Sequence, residues 1–278
     1  MPERLEGAAY RDLVRQALAE DLGPGDVTSR AIVPTDREAV GVFVAKSSLV
    51  LAGIDVVREV FAQVDPRVTV QADRADGDRC RPTDRIAVVR GAARSLLAGE
   101  RTALNLLQHL SGIATLTRAF VDAAAPMVVL DTRKTLPGMR ALAKYAVTCG
   151  GGRNHRLGLF DAVLIKDNHV RVAGSVETAV QLVRTAGAPG PVEVEVQSLD
   201  QVDAALRAGA DIIMLDNLDD ETTGEAIRRI AGRARIELSG NMTIDRVRRL
   251  SVAGADFVSV GALTHSAPAA DVSLEIAL

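Results

Sequence analysis

The stretch AGADIIMLDNL (208–218) has a near copy further along the chain, AGADFVSVGAL (253–263). In each, a glycine stands where a helical segment ends, a short apolar run follows, and the run closes on polar or glycine residues. Glycine past a helix end and a short apolar run bounded by turn residues are the marks of one βα unit. Outward from the pair, the same grammar holds in MVVLD (127–131), AVLIKD (162–167), VEVEV (192–196), DIIMLD (211–216), RIELS (235–239) and DFVSVG (256–261). The later runs are each followed by an amphipathic segment of about ten residues, the length of an ordinary helix. Ser198 followed by Gln201 reads as a capping box for the helix after VEVEV. Strand–helix alternation of this kind builds a parallel sheet, and six or seven such strands favour a barrel of the TIM kind, complete or incomplete, over an open sheet.

Before residue 125 the pattern differs. Residues 9–20 have helical apolar spacing and end in the turn DLGPGD. Strand-like runs follow at 40–45, 67–72 and 85–90, with a short helix near 54–63, a mixture expected of an α+β layer. From Arg94 to Ala124 leucines recur at three- and four-residue steps, which predicts one long helical segment with a buried stripe. Gly99 and Gly112 are the positions expected to kink or divide it. The fold class read from this is α/β: an N-terminal α/β sandwich over 1–110, then an incomplete TIM-like α/β barrel over 111–269. The tail DVSLEIAL alternates like a strand, and 270–278 is expected to return to the N-terminal layer.

Bulk properties exclude several functions. The chain has 278 residues, 47% apolar and 25% charged, with a net charge of −3, which gives no broad basic face for nucleic acid. Its two cysteines, Cys80 and Cys149, are isolated, so neither a disulfide framework nor a structural zinc site is expected. No apolar run approaches the roughly 18 residues of a membrane helix, and the start, MPERLEGAAYRDLVRQ, has no apolar signal core. The expectation is a cytoplasmic protein. Of 33 basic residues only Lys46, Lys134, Lys144 and Lys166 are lysines, and three of these fall between 134 and 166.

In βα barrels the functional end is the C-terminal edge of the strands. Read off strand by strand, that edge carries Thr132-Arg133-Lys134, then Lys166, Glu195, Asp216-Asn217, Ser239-Gly240-Asn241 and the turn 259–263 (Ser259, Val260, Gly261). TCGGGRNHRLGLFDAVLIKDNHV (148–170) adds three glycines, His155 and Arg156 to this cationic side. Arg133, Lys134, Arg156 and Lys166 suit carboxylate or pyrophosphate groups. The late glycine turns expose backbone N–H groups to a phosphate, and Glu195 and Asp216 suit ribose hydroxyls or Mg²⁺. Plainer readings stand beside these. Arg133 can pair with Asp131, one glutamate of VEVEV can face solvent, Asp216 can cap the next helix, and Lys166 can be an imine-forming lysine.

Together ERTALNLLQHLSGIAT, DTRKTLPGMRALAKYAV, GGGRNHRLGLFDAVLIKDNH, VEVEV, IMLDN, LSGN and SVGALTHS, in this order, resemble the quinolinate phosphoribosyltransferases, the carboxylating nicotinate-nucleotide pyrophosphorylases. The resemblance implies phosphoribosyl transfer from phosphoribosyl pyrophosphate to quinolinate with loss of CO₂, giving nicotinate mononucleotide and pyrophosphate for NAD synthesis, with Mg²⁺ and a homodimer. It implies that Arg133, His155, Arg156 and Lys166 bind quinolinate. It likewise gives Lys134, Glu195 and Asp216 to phosphoribosyl pyrophosphate as the catalytic set, Glu195 and Asp216 also as Mg²⁺ contacts. Ser239, Gly240, Asn241 and the 259–263 turn resemble the 5′-phosphate cradle. Arg101 resembles the arginine that a partner subunit inserts; on its own it reads equally as a solvated helix position. Two alternatives remain open at this stage: a nicotinate phosphoribosyltransferase, and an anion-binding paralogue of the kind associated with molybdenum transport.

Overall fold

A computed structural model of the chain describes residues 5–277. Its strands are β1 (Glu38–Ala45), β2 (Leu49–Val50), β3 (Thr69–Ala72), β4 (Arg79–Cys80), β5 (Arg85–Ala92), β6 (Val128–Leu130), β7 (Val163–Ile165), β8 (Val192–Val196), β9 (Ile212–Asp216), β10 (Arg235–Ser239), β11 (Phe257–Ser259) and β12 (Val272–Ala277). The chain divides into two compact units, one of residues 1–118, 135–151 and 263–278, the other of 119–134 and 152–262.

The first unit is built on an antiparallel sheet in the order β12-β1-β5-β3. β1 alternates exposed or half-buried with buried positions along EAVGVFVA, as a strand with one covered face does. β12 pairs along β1 from Val40 opposite Ala277 to Ala45 opposite Val272, so the C-terminal segment closes one edge of this sheet. Ala93–Ala124 is a single helix of 32 residues. Neither glycine divides it. A Cβ on Gly99 would sit 2.8 Å from Phe61 Cε1, and one on Gly112 would sit 2.1 Å from the carbonyl oxygen of Pro268. Both glycines are there because another segment crosses the helix too closely for any side chain.

The second unit is a sheet of six strands in the order β6-β11-β10-β9-β8-β7. Its registered pairs are parallel. First and second strands lie at opposite ends of that order, so the barrel stays open between them; β6 instead bridges Arg153 through Leu130. Helices link the strands, and the long ones are capped by side chains: Ser175 accepts from the Thr178 N–H, Ser198 from Gln201, Asp219 from Thr222 and Thr243 from Arg246. The Ser198 cap is joined by Gln201, whose side chain accepts the Gln197 N–H at 2.7 Å.

The AGAD repeat has a mechanical role here. Gly209 and Gly254 take φ of +72° and +97° just past the helices, and the aspartate that follows ties the neighbouring strand. Asp211 Oδ2 accepts the Val192 N–H at 2.7 Å, and Asp256 Oδ2 accepts the Ile236 N–H at 2.8 Å. Each thus satisfies a backbone donor at the start of a strand. Among the described residues no helix is long and apolar enough to cross a membrane.

Candidate active site

Parallel barrel strands present alternate side chains inward and outward. In β8 the valines Val192, Val194 and Val196 are buried, while Glu193 and Glu195 lie on the other face. On β9, Ile213 and Leu215 are buried against the layer of helices and Met214 and Asp216 face inward. The inward positions at the C-terminal strand ends enclose a cavity of about 610 Å³ within the second unit.

Its wall is assembled from the segments read above. Thr132, Arg133 and Lys134 follow β6, with the Lys134 N–H bonded to Thr132 Oγ1 at 3.1 Å. His155 and Arg156 follow the Arg153 bridge. Lys166 ends β7, where its N–H donates to His169 Nδ1 at 2.9 Å and its Nζ donates to Glu195 Oε2 at 2.8 Å. Asp216 ends β9 and accepts from Asn217 Nδ2 at 2.8 Å. Asp219, not Asp216, caps the helix that follows, so Asp216 remains on the cavity wall. Ser239, Gly240, Asn241 and Ser259 complete the rim, together with Asp131, Leu164, Met214 and Asn217, which the sequence reading did not assign.

The electrostatics divide the cavity in two. Arg133 Nε is buried without a hydrogen-bond partner, and burial, followed by the like charge of Arg133, pushes the Arg156 guanidinium below its ordinary pKa. Two like-charged arginines close enough to repel, one of them with an unpartnered Nε, form a site for a multiply charged anion. Opposite them stand the carboxylates of Glu195 and Asp216 on neighbouring strands.

Two of the residues assigned to the phosphate cradle are placed otherwise. Val260 is 1% exposed and its N–H is spent on the Leu130 carbonyl at 3.0 Å, so it offers a phosphate neither side chain nor backbone donor. Gly261 lies outside the cavity lining, and Arg101 is an exposed position of the long helix in the first unit. The plainer reading, in which one glutamate of VEVEV faces solvent, does not hold: the Glu195 side chain is 10% exposed and Glu193 is 4% exposed. Sequence reading missed Glu193 and Glu237 altogether. Both lie under His155 inside the barrel, and the only signal was their place on the inward parity of β8 and β10.

Comparison with known proteins agrees with this architecture. Residues 26–111 match the quinolinate phosphoribosyl transferase N-terminal domain, and residues 113–275 match the C-terminal domain. The nicotinate-nucleotide pyrophosphorylase (carboxylating) of Mycobacterium leprae is 45% identical over 96% of this chain and 97% of its own length. The chloroplastic enzyme of the same name from Oryza sativa is 42% identical over 95% of this chain and 76% of its own. The crystal structure of NadC from Streptococcus pyogenes superposes with a TM-score of 0.94 at 44% identity, over 99% of both chains. With both domain models matched in order and relatives this similar along nearly the whole length, the chain belongs to the quinolinate phosphoribosyl transferase family.

Proposed function

We infer that the chain is a pentosyltransferase that joins quinolinate to the ribosyl carbon of phosphoribosyl pyrophosphate and releases pyrophosphate and CO₂, forming nicotinate mononucleotide in NAD synthesis. The observation that carries the reading is the half-buried pair Arg133 and Arg156, with the buried Arg133 Nε left without a partner and Lys166 on the same wall. Quinolinate bears two adjacent ring carboxylates, and planar guanidinium forks fit that geometry.

In this reading Arg133, Arg156 and Lys166 hold the two carboxylates and aim the ring nitrogen at the ribose. Lys134 meets the pyrophosphate, the Ser239–Asn241 turn holds the 5′-phosphate, and Glu195 and Asp216 face the ribose, where positive charge develops as pyrophosphate departs. Ribosylation makes the ring nitrogen a pyridinium. The carboxylate next to it then leaves as CO₂, its electron pair stays on the ring carbon stabilised by that cation, and that carbon takes a proton from water, so the substrate serves as its own electron sink. Glu195 and Asp216 present an all-oxygen set of the kind Mg²⁺ takes beside substrate phosphates; when bound, the ion neutralises pyrophosphate charge. The same reading places the enzyme in the cytoplasm as a homodimer, with Arg101 entering the partner's site.

The test is a product assay. Purified protein with phosphoribosyl pyrophosphate, Mg²⁺ and quinolinate is expected to yield mononucleotide and CO₂ in equal amounts, and nicotinate is expected to be a poor substitute. Nucleotide from nicotinate with no CO₂ from quinolinate, or no product from either, refutes the reading.

A further inference from the structure

Against the cavity wall, in contact with His155 and Ser259, lie two buried carboxylates to which the substrate roles above give no task. Glu193 on β8 and Glu237 on β10 are 4% and 1% exposed, with β9 between their strands. The His155 ring contacts both: Nε2 is 3.1 Å from Glu193 Oε2 and 3.7 Å from Glu237 Oε2. Ser259 Oγ, on β11, donates to Glu237 Oε1. Buried carboxylates are costly unless something holds them, so the group needs a physical account.

One histidine and two carboxylates whose ligand atoms lie within 4.8 Å of one another have the spacing of a transition-metal site. The histidine tautomer argues against it. His155 Nδ1 accepts the backbone N–H of Arg156 at 2.8 Å, so Nδ1 carries a lone pair and the ring proton sits on Nε2. A protonated Nε2 donates to Glu193 and has no lone pair for a metal. Desolvation, then the charge of Glu193, raises the pKa of Glu237 well above the carboxylate range. The chain of contacts runs from the barrel interior through Glu193 and the His155 ring to the Arg156 backbone. Its far side is pinned as well: the His155 N–H donates to Asp131 Oδ1 at 2.9 Å, and Asp131 is fully buried.

We propose that Glu193 is a positioning residue: it fixes the tautomer and orientation of His155, and His155 fixes the backbone from which Arg156 reaches the dicarboxylate. Ser259 in turn holds Glu237, the second carboxylate against the His155 ring. His155 thereby contributes geometry to the pocket. The proposal rests on the quinolinate site described above.

Two variants separate positioning from simple structural support. Glu193→Gln keeps an acceptor oxygen at the same reach, whereas Glu193→Asp keeps the charge and withdraws the oxygen by one methylene. Glu193→Asp is expected to raise KM for quinolinate roughly 10- to 100-fold while KM for phosphoribosyl pyrophosphate stays within about twofold, because a displacement near 1 Å of a binding group costs that much. Glu193→Gln is expected to retain most of the affinity. Equal weakening toward both substrates, or equal loss in the two variants, overturns the proposal. If Glu193→Asp does not fold, the ¹⁵N shifts of His155 in the wild type decide instead. A neutral Nε2–H ring supports the proposal, while an imidazolium, or one equivalent of tightly bound zinc or manganese, overturns it. A wild-type chain that folds but neither binds nor turns over quinolinate sinks the function itself, an outcome the ¹⁵N measurement keeps distinct.

Discussion

Replacing Gly240 by alanine tests the turn that follows β10. Gly240 has φ +91°, and a Cβ there would lie 2.3 Å from Asn217 Oδ1, 2.5 Å from Asn217 Cγ and 2.7 Å from the Asn217 backbone nitrogen. The amide can swing aside by giving up the bond it accepts from Asn241 Nδ2, 3.1 Å long. The backbone nitrogen cannot, because it donates to the Ser239 carbonyl at 3.0 Å, and Asn217 is itself held at φ +57°. Left-handed backbone costs a Cβ-bearing residue about 1–2 kcal/mol, and overpacking against fixed neighbours about 1–3 kcal/mol. A turn kept in place would therefore lose about 2–5 kcal/mol, and one that shifts outward would lose less. The turn lies on the cavity rim, so shifting is the cheaper escape. Gly240→Ala is then expected to lower Tm by only a few degrees and to raise KM for phosphoribosyl pyrophosphate by tenfold or more, about 1.4 kcal/mol per decade. Quinolinate affinity, measured alone by calorimetry, should be unchanged. A folded variant with wild-type KM for phosphoribosyl pyrophosphate would refute the role given to this turn.

Arg156→Lys keeps the charge and loses the fork; KM for quinolinate should rise about tenfold or more with Tm nearly constant, and an unchanged KM would remove Arg156 from the site. Arg101→Ala and Lys134→Ala should each be nearly inactive, yet their mixture should regain activity through hybrid dimers; none in confirmed hybrids would refute a shared site. Asp65 accepts from Arg67 Nε at 2.9 Å, Arg67 Nη2 at 3.0 Å and Ser95 Oγ at 2.9 Å, and these bonds, the Arg67 side chain first, hold its pKa well below the carboxylate range. A lowered folded pKa gives stability that is full above the unfolded value, about 3.9, and is lost as pH falls toward the folded one. Asp65→Asn should therefore be less stable than wild type at pH 7, with the gap closing below about pH 4 in denaturant titrations; a constant gap would show that the charge is not the cause.

The barrel was readable because its repeat is a local matter. Glycine at the helix end and an apolar run after it are decided within a few residues, and the six strands stand where the runs do. The long helix was readable in extent and misread in its glycines. Gly99 and Gly112 look like weak points in isolation, but their reason is Phe61 and Pro268, distant in sequence and invisible to any local window. The aspartate of AGAD carried a similar hidden meaning. It ties the start of a neighbouring strand, which explains why the repeat is strictest at the end of the strands away from the chemistry and diverges into Asp216-Asn217 and Ser259-Val260-Gly261 at the other.

The site shows the same division between local and global. Cations that follow a strand could be placed from strand ends alone, since the C-terminal edge of a parallel barrel collects them whatever the exact register. What lies one layer deeper could not. In an ordinary two-faced sheet the alternation VEVEV turns valine inward and glutamate to water. In a barrel wrapped by helices the outward face is the apolar one, so the same alternation drives both acids into the interior. Glu195 then meets Lys166 at the mouth, and Glu193, two residues below, meets His155. Glu237 arrives on the same parity from RIELS. Knowing that a strand belongs to a barrel therefore reverses the reading of its polar residues. A glutamate among valines then marks the floor of a site, and the histidine above it is held by contact with that glutamate.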